Sequence, residues 1–172
     1  QVYQGVIYMD FDRAIMERQG YGVYEPLRPD LLPPVYIAYR DDLSEGTEVF
    51  HNDLRSRWAA GESEVLAAIQ TWAGLACQVR DLLKAGRGRE IGPLLDQNFD
   101  LRRRLCRLSE GNIRMVEAAR SVGASAKFAG SGGAIVGTYE DDAMFEKLAA
   151  VLSRQRIRVL RPQLAPPTED PT

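Results

Sequence analysis

The sequence predicts an α+β domain, a ferredoxin-like split βαβ sheet whose first crossover is enlarged by a helical insertion. Three observations predict it. Both ends of the 172-residue chain carry short apolar segments of strand composition, and the middle switches to a helical period. A run of small residues, Gly130-Ser131-Gly132-Gly133, joins two of the strand-like segments near the carboxy-terminal end.

Each element follows in order. Val2, Val6 and Tyr8 alternate with Tyr3, Ile7, Met9 and Phe11, which predicts a first strand with apolar character on both faces. Pro26, Pro29, Pro33 and Pro34 mark an irregular connection, and Val35 to Arg40 reads as a second strand. Phe50, Leu54 and Trp58 form the stripe of a helix. Val65, Ile69, Trp72, Ala76, Val79 and Leu83 recur at steps of four and three, an amphipathic helix of about five or six turns that Gly86 and Gly88 end. Ile91, Leu94, Asn98, Leu101 and Leu105 repeat the pattern, and Ile113, Val116 and Ala119 do so again. A strand, the glycine loop and another strand follow, then a helix with Met144, Leu148, Val151 and Leu152 on one face, and a last strand from Ile157 to Leu164. Residues 1–164 are expected to form the domain, and 165–172, with Pro166, Pro167 and Pro171, a disordered tail.

Composition bounds the function. At 172 residues and 45% apolar the chain can bury about 70% of its unfolded surface, enough for one core without metal or disulfide staples. Twenty-two basic against twenty-four acidic residues leave a formal charge of −2, so no general attraction to nucleic acid or anionic membrane is encoded. Cys77 and Cys106 are isolated on apolar helical segments and build no usual zinc spacing with the single His51, so both are expected to be reduced and no metal site is expected. The chain has no apolar run approaching the roughly eighteen residues a membrane-spanning helix needs. A soluble, cytoplasmic protein is the expectation.

The glycine loop carries the functional signal. Its flanks, Ser125 to Ala129 and Ala134 to Tyr139, are strand-like, so the glycines join two strands instead of leading into a helix. That order excludes a P-loop and a dinucleotide fingerprint, both of which open a helix. Two readings remain on local sequence: a tight hairpin whose glycines supply positive φ, or a backbone approached by a ligand.

The wider pattern resolves further. Ser109-Glu110-Gly111-Asn112, a helix, Gly123-Ala124, Lys127 and Gly130-Ser131-Gly132-Gly133 before an apolar strand resemble the third motif of the GHMP small-molecule kinases. Tyr8-Met9-Asp10-Phe11, His51 with Arg55, Arg57 and Trp58, and Asn98-Phe99-Asp100-Leu101-Arg102-Arg103-Arg104 resemble glucuronokinases of the plant type. The resemblance runs from about Gln1 to Gln163 and matches Asp12 to Arg28 only in general shape. It implies a GHMP kinase carboxy-terminal domain with the same split βαβ plan. The family's phosphate loop, magnesium ligand and catalytic aspartate belong to an amino-terminal half, and no Gly-Leu-Gly-Ser-Ser run occurs here. Together with an opening that is already strand-like and lacks Met, this reads as a carboxy-terminal half without catalytic residues of its own, inactive without its partner half.

The implied reaction transfers the γ-phosphoryl of ATP, with Mg2+, to a sugar hydroxyl, and the implied sugar is glucuronate, giving glucuronate 1-phosphate. A heptose or heptose phosphate kinase of the same superfamily and a non-catalytic ligand-binding ferredoxin-like module are the alternatives. The expected nucleotide and phosphate contacts are Lys127, Gly130, Ser131, Gly132 and Gly133. The expected substrate contacts are Asp10, Arg55, Asn98, Arg102 and Asn112. Physics supports Asn98 independently, since an amide inside an apolar helical stripe needs a partner, either neighbouring backbone or a ligand hydroxyl. Arg102 lies four residues on, nearly on the same face, and its fork suits a uronic carboxylate, a role for which Arg55 and Arg57 compete. Asp100 and Arg104 stand at i and i+4 as a candidate surface pair. Ser109 reads as a helix cap.

Overall fold

The structure, a computed structural model, describes residues 5–43 and 47–163, the stretch 47–52 by its backbone alone. The side chains of His51 and Phe50 and the expected tail at 165–172 therefore lie outside what is described. The chain opens with β1 (Val6–Asp10), α1 (Arg13–Gln19) and β2 (Val23–Leu27), continues through β3 (Val35–Tyr39), and then turns helical. The helices are α2 (Thr47–Ala59), α3 (Ser63–Lys84), α4 (Gly92–Leu105) and α5 (Glu110–Arg120). β4 (Lys127–Phe128), β5 (Ala134–Thr138), α6 (Asp142–Ser153) and β6 (Arg158–Leu160) complete it.

The main sheet has the order β4-β5-β3-β6, antiparallel at every junction. Numbered from β3, that is second, third, first, fourth, the split βαβ arrangement, with α2 to α5 filling the first crossover. Its core packs α5 and α6 on one face of the sheet, where Tyr36, Ala38 and Ile135 meet Met115, Val116, Leu148 and Leu152. Tyr36 is fully buried and its hydroxyl donates to Ser125 O at 2.8 Å, so the one polar atom it carries into the core is satisfied. Gly137 makes room for that contact, since a Cβ there would lie 1.7 Å from Ser125 O. The backbone needs a residue without a side chain.

Five expectations change. The proline-rich connection contains a strand: β2 pairs with β1 as a separate two-stranded sheet, Pro26 opposite Ile7. Proline is tolerated because this is an edge, where its missing N–H breaks no ladder on the far side. The first strand is not apolar on both buried faces either, because Met9 is 48% and Phe11 54% exposed. On α3 the buried line is Val65, Ala68, Leu75 and Leu83, rotated from the expected stripe so that Ile69 is 42% exposed and Ala76 lies outside. Trp58, expected on the stripe of α2, is also exposed. The short β6 ends at Leu160, inside the expected span of the last strand.

Candidate functional site

The site is built on the turn between β4 and β5. Ala129 N–H donates to Ala134 O at 3.0 Å, closing the turn, and Gly133 takes φ +74°, the left-handed region that favours glycine. Asn112 stands beneath it. This side chain is fully buried at the start of α5, and its Oδ1 accepts from Gly133 N–H at 2.8 Å while its Nδ2 donates to Leu43 O at 3.1 Å and Ser109 Oγ at 3.0 Å. One amide thus ties the glycine turn to the helix cap and to the segment after β3. Ser109 caps α5 as expected, accepting from Asn112 N–H. A Cβ on Gly132 would sit 2.9 Å from Asn112 Nδ2, so Gly132 is glycine to admit this amide.

Arg102 braces the turn from the other side. From the last turn of α4 its Nη1 donates to Gly130 O at 2.7 Å and its Nη2 to Ser131 O at 3.0 Å, while the guanidinium lies 4.8 Å from the centre of the Phe128 ring. A planar fork laid on two successive carbonyls and an aromatic face fixes the outward course of the loop. Arg102 was expected to meet a substrate carboxylate; the structure places two of its nitrogens on loop backbone.

What remains of the loop is open. Nothing lies within 4 Å of a Cβ built on Gly130, whose φ is not positive, so neither crowding nor conformation within the described residues explains glycine there. The N–H groups of Gly130 and Gly132 have no acceptor among the described residues. Successive backbone N–H groups on a small-residue turn form a concavity suited to anionic oxygens. Lys127, three residues before Gly130 at the start of β4, turns elsewhere: its Nζ donates to Phe128 O at 2.9 Å, and it lines a cavity shared with Asn98. Burial pushes its ammonium pKa down, and the charge of Arg102 adds to the effect.

The other expected contacts are dispersed. Asn98 is half-buried, its carbonyl accepting from Trp72 Nε1 at 3.2 Å, and its side-chain amide has no partner among the described residues. Asp10 Oδ1 accepts from Asp12 N–H at 2.9 Å, and Asp12 in turn caps α1, so this carboxylate closes a local turn. Arg55 is exposed on α2. Arg57 holds Glu62 and donates to Leu105 O at 2.8 Å, which ties α2 to the end of α4. Asp100 pairs with Arg120 at 2.6 Å and Arg104 with Glu64 at 3.5 Å, so the i,i+4 pair between them is not formed. Cys77 and Cys106 are free thiols, each half-buried, and burial raises the pKa of Cys106. Sequence reading missed Tyr8, Trp72 and Arg80, which line the cavity with Asn98; an arginine next to Val79 within an apolar helical stripe was the available signal.

No family model matches the chain. It is 39% identical over 140 residues to Glucuronokinase 1 and 40% identical over 141 residues to probable glucuronokinase 2, both of Arabidopsis thaliana, in each case over 79% of its own length. The chain spans 38% of the length of these relatives. Among solved structures, L. major mevalonate kinase in complex with R-mevalonate superposes with a TM-score of 0.74 over 95% of this chain and 51% of that one, at 19% identity. That likeness shows the fold, which is that of a GHMP kinase carboxy-terminal domain. The chain thus resembles glucuronokinases in sequence and the GHMP small-molecule kinases in fold.

Proposed function

We propose that this chain is the carboxy-terminal half of an ATP-dependent sugar kinase that phosphorylates glucuronate to glucuronate 1-phosphate. The observation that carries the kinase reading is the braced glycine loop, held by Asn112 and Arg102, with the N–H groups of Gly130 and Gly132 lacking an acceptor among the described residues. Phosphoryl transfer rests chiefly on positioning and charge neutralisation, and a rigid backbone cradle for phosphate oxygens needs no titratable group. The sugar is assigned by the similarity to glucuronokinases. Of the expected sugar contacts, Arg55 remains the candidate, an exposed side chain with no partner among the described residues, whereas Asn98 lines a separate cavity.

ATP fits this loop, and its γ-phosphate is the group transferred. Magnesium does not fit the described residues: no group of three or more His, Cys, Asp or Glu side chains gathers among them. The metal ligands are assigned to an amino-terminal half, and so is the catalytic base. That half is proposed to dock where Met9, Phe11, Tyr21 and Val23 of the hairpin stand exposed.

The test is an ADP-release assay on the 172-residue chain alone and joined to the sequence encoded before it, with ATP, Mg2+ and glucuronate, glucose or a heptose. Turnover is expected only in the joined protein and with preference for glucuronate. Sugar-dependent ADP release by the chain alone would refute its reading as a half, and equal turnover of glucose would refute the substrate.

A further inference from the structure

A cavity of about 350 Å³ lies between the β1–β2 hairpin and helices α3 and α4, lined by neither glycine-loop nor acidic residues. Its walls are aliphatic, with Trp72 on one side, and its charged groups are two cations, Arg80 and Lys127. Lys127 has no carboxylate within ion-pair distance among the described residues; its one hydrogen bond goes to the neighbouring carbonyl of Phe128. A half-buried ammonium without a counter-charge carries a desolvation cost that an anion would offset. Arg80 lies over the Tyr8 ring, 4.5 Å from its centre, and among the described residues its one ion pair is with the exposed Asp81, which does not line the cavity. Asn98 adds the free side-chain amide described above.

The chemistry differs from that of a sugar pocket. A hexose presents a hydroxyl on nearly every carbon and needs a matching polar wall, because polar groups buried without partners are costly. This wall is apolar apart from one end. We infer that the cavity is a second ligand site, separate from the phosphoryl-transfer loop, which takes a small amphipathic anion: an apolar body against Leu75, Val79 and Leu83, and one carboxylate or phosphate head group held by Lys127, Arg80 and the Asn98 amide. Such a site links an organic anion to the β1–β2 hairpin, which roofs the cavity with Val6, Ile7 and Tyr8.

The molecule supplies its own reporter, since it has two tryptophans and only Trp72 lines the cavity. In a Trp58→Phe background, octanoate, octyl phosphate, 1-octanol, acetate and inorganic phosphate are titrated against Trp72 emission. Octanoate or octyl phosphate is expected to give a saturable change, and the tighter of the two identifies the head group. 1-Octanol is expected to bind at least about tenfold more weakly, since a charge-assisted contact is lost, and acetate and inorganic phosphate not at all. Lys127→Met and Arg80→Gln should each weaken the anion about tenfold or more and leave 1-octanol unchanged, with far-ultraviolet circular dichroism confirming the fold of both. Lys84→Gln, an exposed lysine paired with Glu25, serves as the control that changes nothing. Equal affinity for octanol and octanoate, or unchanged anion affinity in both variants, would overturn the inference. So would loss of octanoate binding when the chain is joined to its amino-terminal half, because the cavity would then belong to an interface. None of these readouts uses kinase activity, so the site and the proposed reaction stand or fall separately.

Discussion

At the β4–β5 turn the backbone is held by side chains of the same chain, Asn112 from below and Arg102 from the side, whereas the β1–β2 hairpin stands apart from the main sheet and turns Met9, Phe11, Tyr21 and Val23 toward solvent. The first is a tight turn, and the second is a pair of strands joined through the short helix α1. The first is set before any ligand arrives, so a phosphate would meet a cradle whose ordering cost is already met by folding. The second is a two-stranded ribbon, marginal in isolation, resting on one side against the cavity wall and bare on the other. Under the proposed function, the rigid turn is where a phosphate would sit and the exposed apolar face is where a partner half would dock.

The most damaging way to break that contrast is to remove Asn112. Asn112→Ala strands the Gly133 N–H and the Leu43 carbonyl in the interior and leaves a void at a fully buried position. An expected loss of about 3 kcal/mol follows from two unsatisfied buried groups together with the lost packing. Urea unfolding of the chain measures it. A loss below about 1 kcal/mol would mean that the turn holds its shape without this amide.

Glycines of the same loop separate folding from function at smaller cost. Gly133→Ala forces a side chain into φ +74° and should cost roughly 1–2 kcal/mol. Gly130→Ala meets open space at an ordinary φ and should leave stability within about 0.5 kcal/mol, yet place a methyl where the proposed phosphate approaches. Paired measurements are thermal unfolding of each variant and ATP kinetics in the joined enzyme below its melting point. Unchanged turnover in Gly130→Ala would leave the loop as a hairpin turn and remove its support for the kinase reading.

Much of this was legible in the sequence, for identifiable reasons. The split βαβ order, the capping serine and the glycine turn are local signals, carried by periodicity and by residues whose backbone demands are specific. Asn98 stood out because an amide in an apolar stripe is anomalous wherever the chain folds. What the sequence did not disclose depends on which distant surfaces meet. Arg102 was expected to point at a ligand, and only the packing of α4 beside β4 brings its fork onto Gly130 and Ser131. Likewise the stripe on α3 is apolar over a wide arc, and its buried side is chosen by α4 and the hairpin rather than by α3 itself. β2 went unread because proline usually argues against a strand, a rule that an edge strand escapes.

The smallest effect on stability sharpens the comparison most. Met9→Ser and Phe11→Ser replace side chains that are already about half exposed, so the isolated chain should unfold within about 0.5 kcal/mol of the parent. Association with an amino-terminal half is another matter. Each of these side chains would contribute on the order of 1.5 kcal/mol or more if fully covered, so the double variant should need at least about tenfold more partner to assemble. Titrating one half with the other, read by calorimetry and by recovered ADP release, measures this directly. Assembly at parental concentrations would show that the hairpin's outer face is ordinary exposed surface. Loss of assembly together with loss of the isolated chain's stability would show that Met9 and Phe11 hold the hairpin itself, and the division between a self-braced loop and a partner-dependent hairpin would fail.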